Sequence, residues 1–218
     1  MKEVIVFDVD GTLVNGQSQR LFIDYLLKNN IISFAFYLKL YGWFILYALG
    51  LTGSPKKIME IAYSFLSNKK YSWVENIVDD FFNNVLKKEF FESALDILND
   101  HIINKREVIL VSNIPDILLK RIAKHLNIQK YFGTTLETQG DKFTGRIIGN
   151  IMYGDNKSYV IKKNILKKAT CPINLWVYAD HISDLPLFEI ATNKFVVNPK
   201  NKLLSIAKEK DWGVLYFS

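Results

Sequence analysis

Short apolar runs recur along the chain and are bounded by turn residues, a pattern that is typical of buried β-strands. The runs cover residues 3–7, 107–111, 174–179, 194–197 and 213–216. Segments of helical periodicity lie between the later runs, at residues 115–126, 157–168, 184–191 and 200–208. Strands that alternate with helices in this way predict a parallel sheet with both faces covered.

One long stretch interrupts the alternation. Residues 17–105 show helical periodicity and no convincing strand. The whole pattern predicts an α/β fold, a Rossmann-like parallel sheet with helices on both faces and an α-helical insertion between the first and second core strands. We expect residues 1–15 and 106–218 to form the core domain and residues 16–105 to form the inserted helical domain. Within the core, the glycines spaced through residues 134–153 predict a small β-hairpin.

The most hydrophobic part of the insertion is the segment 31–51, in which Lys39 is the only charged residue. The segment is long enough to span a bilayer, but one crossing would separate Asp8 from the polar residues that follow the later strands. Three alternatives remain for this segment. It forms the core of the insertion as a helical pair broken near Gly42, it makes a membrane-surface or re-entrant lipid contact, or it forms a dimer interface. The flanking Lys56-Lys57 pair favours anionic headgroups in the second case.

Composition narrows the protein class. The 218 residues are 49% hydrophobic and 23% charged, which is the balance of a globular protein. Cys171 is the single cysteine, so no intramolecular disulfide can form. The net charge of +6 comes from scattered lysine pairs and not from a dense basic tract, so we do not expect a nucleic-acid partner. The N-terminal residues lack the pattern of a secretory signal, and we expect a cytoplasmic protein, membrane-associated if segment 31–51 contacts lipid.

Carboxylates follow two of the predicted strands. Asp8 and Asp10 come at the end of the first run, and residues two apart in an extended chain point to the same side. Asp180 and Asp184 follow the run at 174–179. Because the carboxyl ends of parallel strands meet at one edge of the sheet, these carboxylates are expected to converge there. They supply hard oxygen ligands that suit Mg²⁺.

Anion-binding groups follow other elements. Ser112 and Asn113 end the second run just before a predicted helix, where a hydroxyl and backbone amides can hold an anion or simply cap the helix. Lys157 stands at the start of another predicted helix, a position that the helix dipole disfavours slightly. Lys157 is therefore either a lysine with a specific role in a site or an ordinary surface lysine.

The combination resembles the haloacid dehalogenase-like superfamily, in which Asp-x-Asp-Gly-Thr is followed by a Ser or Thr, a Lys and an acidic pair, each after a core element. The matching residues here are Asp8-Val9-Asp10-Gly11-Thr12, Ser112, Lys157, and Asp180 with Asp184. All four elements occur in the family's order, so the resemblance spans nearly the whole chain. The position of the insertion, and the stretch from Thr144-Gly145-Arg146 to Lys157, are similar to subfamily IB, the branch that contains phosphoserine phosphatase.

The resemblance implies a Mg²⁺-dependent phosphatase that acts on a small-molecule phosphate monoester. Asp8 would attack phosphorus and carry an aspartyl-phosphate, while Asp10 would serve as general acid and then as general base. Ser112 and the amide of Asn113 would bind phosphoryl oxygens, and Lys157 would neutralise the phosphoryl group and Asp8.

The resemblance also implies where the metal binds. Asp8 and Asp180 would ligate Mg²⁺ with their carboxylates, and Asp10 would contact it with its backbone carbonyl. Asp184 would support the metal shell or orient Lys157.

Several positions depart from the phosphoserine phosphatase pattern, among them Gln17, Ala179, His181 and Ser183, and Gln17 bears most directly on the substrate. Those enzymes carry a glutamate for the substrate ammonium at the position of Gln17, and a neutral amide is a poorer partner for an ammonium. We therefore expect Gln17 to contact a substrate other than phosphoserine, and the aromatic insertion favours a larger or apolar alcohol. Two alternatives remain open, namely a membrane-surface or scaffold protein that keeps the fold without turnover, and a phosphotransferase that uses an alcohol in place of water.

Overall fold

The computed structural model describes residues 1–48 and 54–217, and within them a parallel sheet forms the centre of the fold. Its order is β3-β2-β1-β6-β7-β8, and every neighbouring pair is parallel. The six strands are β1 (Lys2–Phe7), β2 (Glu107–Pro115), β3 (Lys130–Thr134), β6 (Ile173–Ala179), β7 (Asn193–Val197) and β8 (Gly213–Leu215). β4 (Leu136–Gln139) and β5 (Lys142–Ile147) form a separate antiparallel hairpin, which confirms the hairpin predicted for this region.

Side chains of β1 alternate between two apolar layers, as the period of a strand requires. Ile5 and Phe7 pack in one buried cluster, and Val4 and Val6 pack in the other. The first cluster is covered by α6 (Asp116–His125), and the second by α7 (Asp155–Asn164), α8 (Leu185–Glu189) and α9 (Asn201–Glu209). The predicted parallel sheet with helices on both faces is therefore confirmed.

Between β1 and β2 the described residues form helices joined by turns and isolated β-bridges, with no strand among them. The helices are α1 (Ser18–Lys28), α2 (Phe34–Ala48), α3 (Pro55–Tyr63), α4 (Tyr71–Asn84) and α5 (Glu92–Ile103). They occupy the place of the predicted insertion, while the division into domains at 1–15, 16–105 and 106–218 stays a prediction.

Segment 31–51 differs from one of its predicted forms. α2 continues through Gly42, so the expected helical pair broken near that residue is wrong. Among the side chains described in α2, Leu40 alone is buried, because the helix packs on its neighbours along one side only. Residues 49–51 lie outside the described residues. No helix in the described part of the chain is long and apolar enough to cross a membrane.

Candidate active site

The register of the sheet brings three predicted site residues to one edge. β1 lies between β2 and β6, and Phe7 pairs with Leu110 on one side and with Tyr178 on the other. Asp8 directly follows β1 and is level with Val111 and Ala179 in the neighbouring strands. Ser112 and Asp180 each come one residue after that level, so both lie next to Asp8 at the sheet edge. Alternation within β1 sends the apolar side chains into the two cores, and the first carboxylate comes where the strand ends.

Lys157 joins two of the carboxylates. Its Nζ donates to Asp8 Oδ2 at 2.8 Å and lies 2.9 Å from Asp184 Oδ1. The lysine and both aspartates are buried. Lys157 lies in the first turn of α7, and Gly154 just before the helix has φ +58°, which glycine adopts without strain. Lys157 is therefore a buried residue and not the surface lysine of the alternative interpretation, while its role in a site stays a prediction.

Asp8, Asp180 and Asp184 form a compact acidic group. Each offers one carboxylate oxygen, and these oxygens all lie within 4.8 Å of one another. Gly11 makes room for the group, because a Cβ on that residue would lie 2.2 Å from Asp180 Oδ2. Apart from the ion pair with Lys157, neither oxygen of Asp184 has a hydrogen-bond partner among the described residues.

The electrostatics of this group call for more positive charge. Burial, with Asp8 and Asp184 nearby, raises the pKa of Asp180 to about 8. Burial also raises the pKa of Asp184 to about 7. Opposing its own burial, Asp184 and Asp8 hold the pKa of Lys157 above its ordinary value, so the lysine stays charged. One lysine beside three carboxylates leaves an excess of negative charge. Clustered carboxylate oxygens are the ligands that a hard divalent cation prefers, so these residues fit Mg²⁺.

Asp10 is held apart from the acidic group. Its Oδ1 accepts a hydrogen bond from the backbone amide of Ser18 at 2.9 Å, at the start of α1. Desolvation by the surrounding protein raises the pKa of Asp10 to about 7, although the hydrogen bonds from Ser18 oppose the shift. The carboxylate can therefore exchange a proton near neutral pH.

Ser112 and Asn113 lie in the last, irregular part of β2. The regular pairing of β2 with β3 ends at Val111, and Ser112 is buried. The hydroxyl of Thr134 donates to the carbonyl of Asn113 at 3.0 Å, which fixes the chain at this point. α6 begins at Asp116, so Ser112 precedes the helix by four residues and is not its N-cap.

The inserted helices contribute polar groups that the sequence patterns did not single out. Ser18 is fully buried beside Asp10. Tyr63, at the end of α3, is also buried, and its hydroxyl lies 3.4 Å from Gln19 Oε1. Burial is the main cause that raises the pKa of Tyr63, and the charge of Asp10 raises it further. The hydroxyl therefore lies close enough to Asp10 to be affected by its charge. Gln17 stands at the start of α1, where its side chain is exposed and makes no capping hydrogen bond.

His181 lies in the loop between the last two acids. Its Nδ1 accepts a hydrogen bond from the amide of Ser183 at 3.2 Å. The imidazole thus stabilises the short turn at Ile182–Asp184 that carries Asp184.

Comparison with known proteins adds a family. A family model described as haloacid dehalogenase-like hydrolase matches residues 5–189. A protein named phosphoserine phosphatase from Mycobacterium tuberculosis is 23% identical over 97% of this chain and 70% of its own. A protein named histidinol-phosphatase from Neisseria meningitidis is 24% identical over 100% of both chains.

Solved structures share the fold. A protein of unknown function from Bordetella pertussis superposes with a TM-score of 0.90 at 20% identity, covering 99% of this chain and 98% of the other. A phosphoserine phosphatase, solved as a phospho-aspartyl intermediate analogue, gives a TM-score of 0.67 at 20% identity, with 99% and 93% covered.

Proposed function

This chain belongs to the haloacid dehalogenase-like hydrolase family, and from that premise we propose that it is a Mg²⁺-dependent phosphatase that forms an aspartyl-phosphate on Asp8. The family match and the phosphatase names of the relatives support the enzyme class. The observation that carries the proposal is the buried lysine between Asp8 and Asp184, at the same sheet edge as a third carboxylate. Burying one lysine with three carboxylates costs folding free energy unless a further cation balances their charge. The arrangement therefore supports a metal site.

The first chemical step belongs to Asp8. Its carboxylate attacks phosphorus, an O–P bond forms, and the bond from phosphorus to the substrate alcohol breaks. Oδ1 already accepts the amide of Val9 at 2.7 Å and Oδ2 accepts Lys157, so the side chain is oriented before substrate binds. Lys157 compensates charge on the equatorial phosphoryl oxygens as well as on Asp8.

Proton transfer belongs to Asp10. It gives a proton to the departing alcohol and then takes one from the water that hydrolyses the aspartyl-phosphate, which releases inorganic phosphate and restores Asp8. The hydrogen bond from the Ser18 amide holds Asp10 in place for both steps. Ser112 and the Asn113 amide are proposed to bind phosphoryl oxygens at the end of β2.

Asp8, Asp180 and Asp184 are the residues that would hold Mg²⁺, together with the backbone carbonyl of Asp10. When bound, the ion supplies further positive charge for the phosphoryl oxygens.

The substrate is proposed to be an organic monoester other than phosphoserine. Gln17 brings no negative charge for an ammonium, and Ser18 and Tyr63, which the inserted helices bring near Asp10, are neutral. Neutral hydroxyl and amide groups on an insertion rich in aromatic residues suit a larger or less polar alcohol. A Mg²⁺-dependent screen of amino-acid, sugar, nucleotide and lipid monophosphates tests this, and a clear preference for phosphoserine would contradict it.

The mechanism is tested with Asp8→Asn and an aryl phosphate in the presence of Mg²⁺. We expect kcat to fall by about 10³-fold or more, since an amide cannot act as the nucleophile. Asp96→Asn, at an exposed position on α5, is the matched control and should keep wild-type activity. Undiminished turnover in the Asp8 variant would overturn the proposal.

Phosphotransfer to an alcohol and a scaffold role without turnover are separated by two assays. Release of free phosphate distinguishes hydrolysis from transfer to an added alcohol such as glycerol. Turnover of any monoester that requires Asp8 excludes the pure scaffold.

A further inference from the structure

α2 carries an apolar stripe on the side that faces away from the protein. Phe34, Leu38 and Ile45 are 63%, 53% and 59% exposed. Their spacing of four and seven residues puts all three on one face of the helix, with the ring of Tyr41 between them. On an ordinary surface helix this face is polar, so the stripe needs an explanation.

The opposite face already fixes α2 to its own chain. Leu40 is buried there. The hydroxyl of Tyr37 donates to Asp24 Oδ1 of α1 at 2.9 Å, which ties the two helices together. Because α2 is held on this side, turning it to bury the stripe would break both contacts. Within residues 1–48 and 54–217 the outward stripe is therefore uncovered and available to a partner.

The charge of the surrounding sequence is one-sided. Residues 25–59 contain no acidic residue and four lysines, which are Lys28, Lys39, Lys56 and Lys57. Tyr41, on the same face as the stripe, adds an amphipathic ring of the kind that collects at the boundary between headgroups and acyl chains. An apolar stripe with basic flanks is complementary to an anionic bilayer surface.

We propose that α2 lies in the plane of an anionic lipid bilayer, with Phe34, Leu38 and Ile45 in the acyl boundary and the lysines at the headgroups. With 15 residues the helix is about 22 Å long, which is short of the roughly 30 Å of a hydrocarbon core. A second copy of the chain is a poorer occupant, since pairing two stripes would bring two acid-free, lysine-bearing segments together. This interaction surface goes beyond the proposed hydrolysis and does not depend on it.

The test is co-sedimentation of the full chain with vesicles of phosphatidylcholine containing phosphatidylglycerol. Wild type should bind these vesicles, bind pure phosphatidylcholine less, and release as salt rises. The triple variant Phe34→Gln/Leu38→Gln/Ile45→Gln should bind at least about tenfold more weakly, because three apolar side chains no longer leave water. Lys39→Glu, a single exposed change, should weaken binding to the anionic vesicles alone.

Three exposed side chains elsewhere provide a matched control. Ile103, Tyr159 and Tyr216 are 77%, 60% and 69% exposed, and their triple substitution by Gln should leave binding unchanged. Failure of wild type to bind, equal binding by the α2 triple variant, or an equal loss in the control would each overturn the proposal. A vesicle-free dimer that the α2 variant dissociates would assign the stripe to a second copy and would also overturn it. Turnover of a soluble aryl phosphate, measured on every variant, should be unchanged and reports on the active site separately.

Discussion

The acidic group at the sheet edge depends on the missing side chain of Gly11, which makes Gly11→Ala a sharp perturbation. Gly11 has φ +75°, and a Cβ there would lie 2.2 Å from Asp180 Oδ2 and 2.6 Å from its Cγ. The variant therefore carries two penalties, one in the backbone and one in the position of the Asp180 carboxylate.

The two penalties have different sizes and different readouts. A left-handed backbone costs a non-glycine residue about 1 kcal/mol of folding free energy. The contact to Asp180 must open by about 1 Å before it is tolerable, and a displacement of that size at a reacting centre costs about 100-fold in rate. We expect kcat/KM for an aryl phosphate to fall about 100-fold and the Mg²⁺ concentration for half-maximal activity to rise.

Gly140→Ala separates the two effects. Gly140 has φ +61°, and nothing lies within 4 Å of a Cβ placed on it. It should lose about the same 1 kcal/mol of unfolding free energy in urea while keeping wild-type kcat/KM and Mg²⁺ dependence. Equal activity loss in the two variants, or full activity in Gly11→Ala, would refute the claim that Gly11 makes room for a metal ligand.

Two further predictions concern buried charges. Lys157→Met leaves Asp8 and Asp184 without their cation, so at pH 7.5 we expect the free energy of unfolding to fall by about 3 kcal/mol or more and kcat to fall at least about 100-fold. Burial, with Arg106 nearby, lowers the pKa of His101. The unfolded chain therefore binds more protons below pH 6.5, and the stability that the neutral imidazole contributes is complete above that pH and is lost as the pH falls. In urea unfolding, wild type should lose more free energy between pH 7 and pH 5.5 than His101→Gln does.

Each of these has a contradicting result. A Lys157→Met protein as stable as wild type would show that the buried ion pairs contribute nothing. Parallel stability curves of the wild type and the His101→Gln variant would show that the histidine titrates normally in the folded state.

Much of the fold follows from local pattern. The apolar runs of β1, β2, β6 and β7 predict a parallel sheet because strands buried on both faces carry few polar residues. β3 was not predicted, because Lys130–Thr134 is an edge strand whose residues are mixed and partly exposed. An edge strand needs no continuous apolar run.

The candidate site divides in a similar way. Asp8, Ser112 and Asp180 converge as the sheet edge requires, since each follows or ends a core strand. Ser18 and Tyr63 could not be found from pattern, because a buried serine or tyrosine inside a helix carries no local signal. Their place beside Asp10 arises from how α1 and α3 pack.

The sequence of segment 31–51 does not predict which of its apolar residues are buried. A run of large hydrophobic residues has the same appearance whether a helix is buried or lies against lipid. The packing of α2 on one side, with Phe34 and Ile45 outside, could be read only from the tertiary structure.

The proposed mechanism depends on a covalent phosphoryl group on Asp8, and this intermediate can be trapped. The enzyme is mixed with an aryl phosphate and Mg²⁺, quenched in acid, digested and analysed by mass spectrometry, with hydroxylamine treatment of a parallel sample. We expect one phosphoryl group on the peptide that contains Asp8, removed by hydroxylamine and absent from the Asp8→Asn variant. Turnover with an unmodified Asp8 peptide, or a phosphoryl group on another residue, would contradict it.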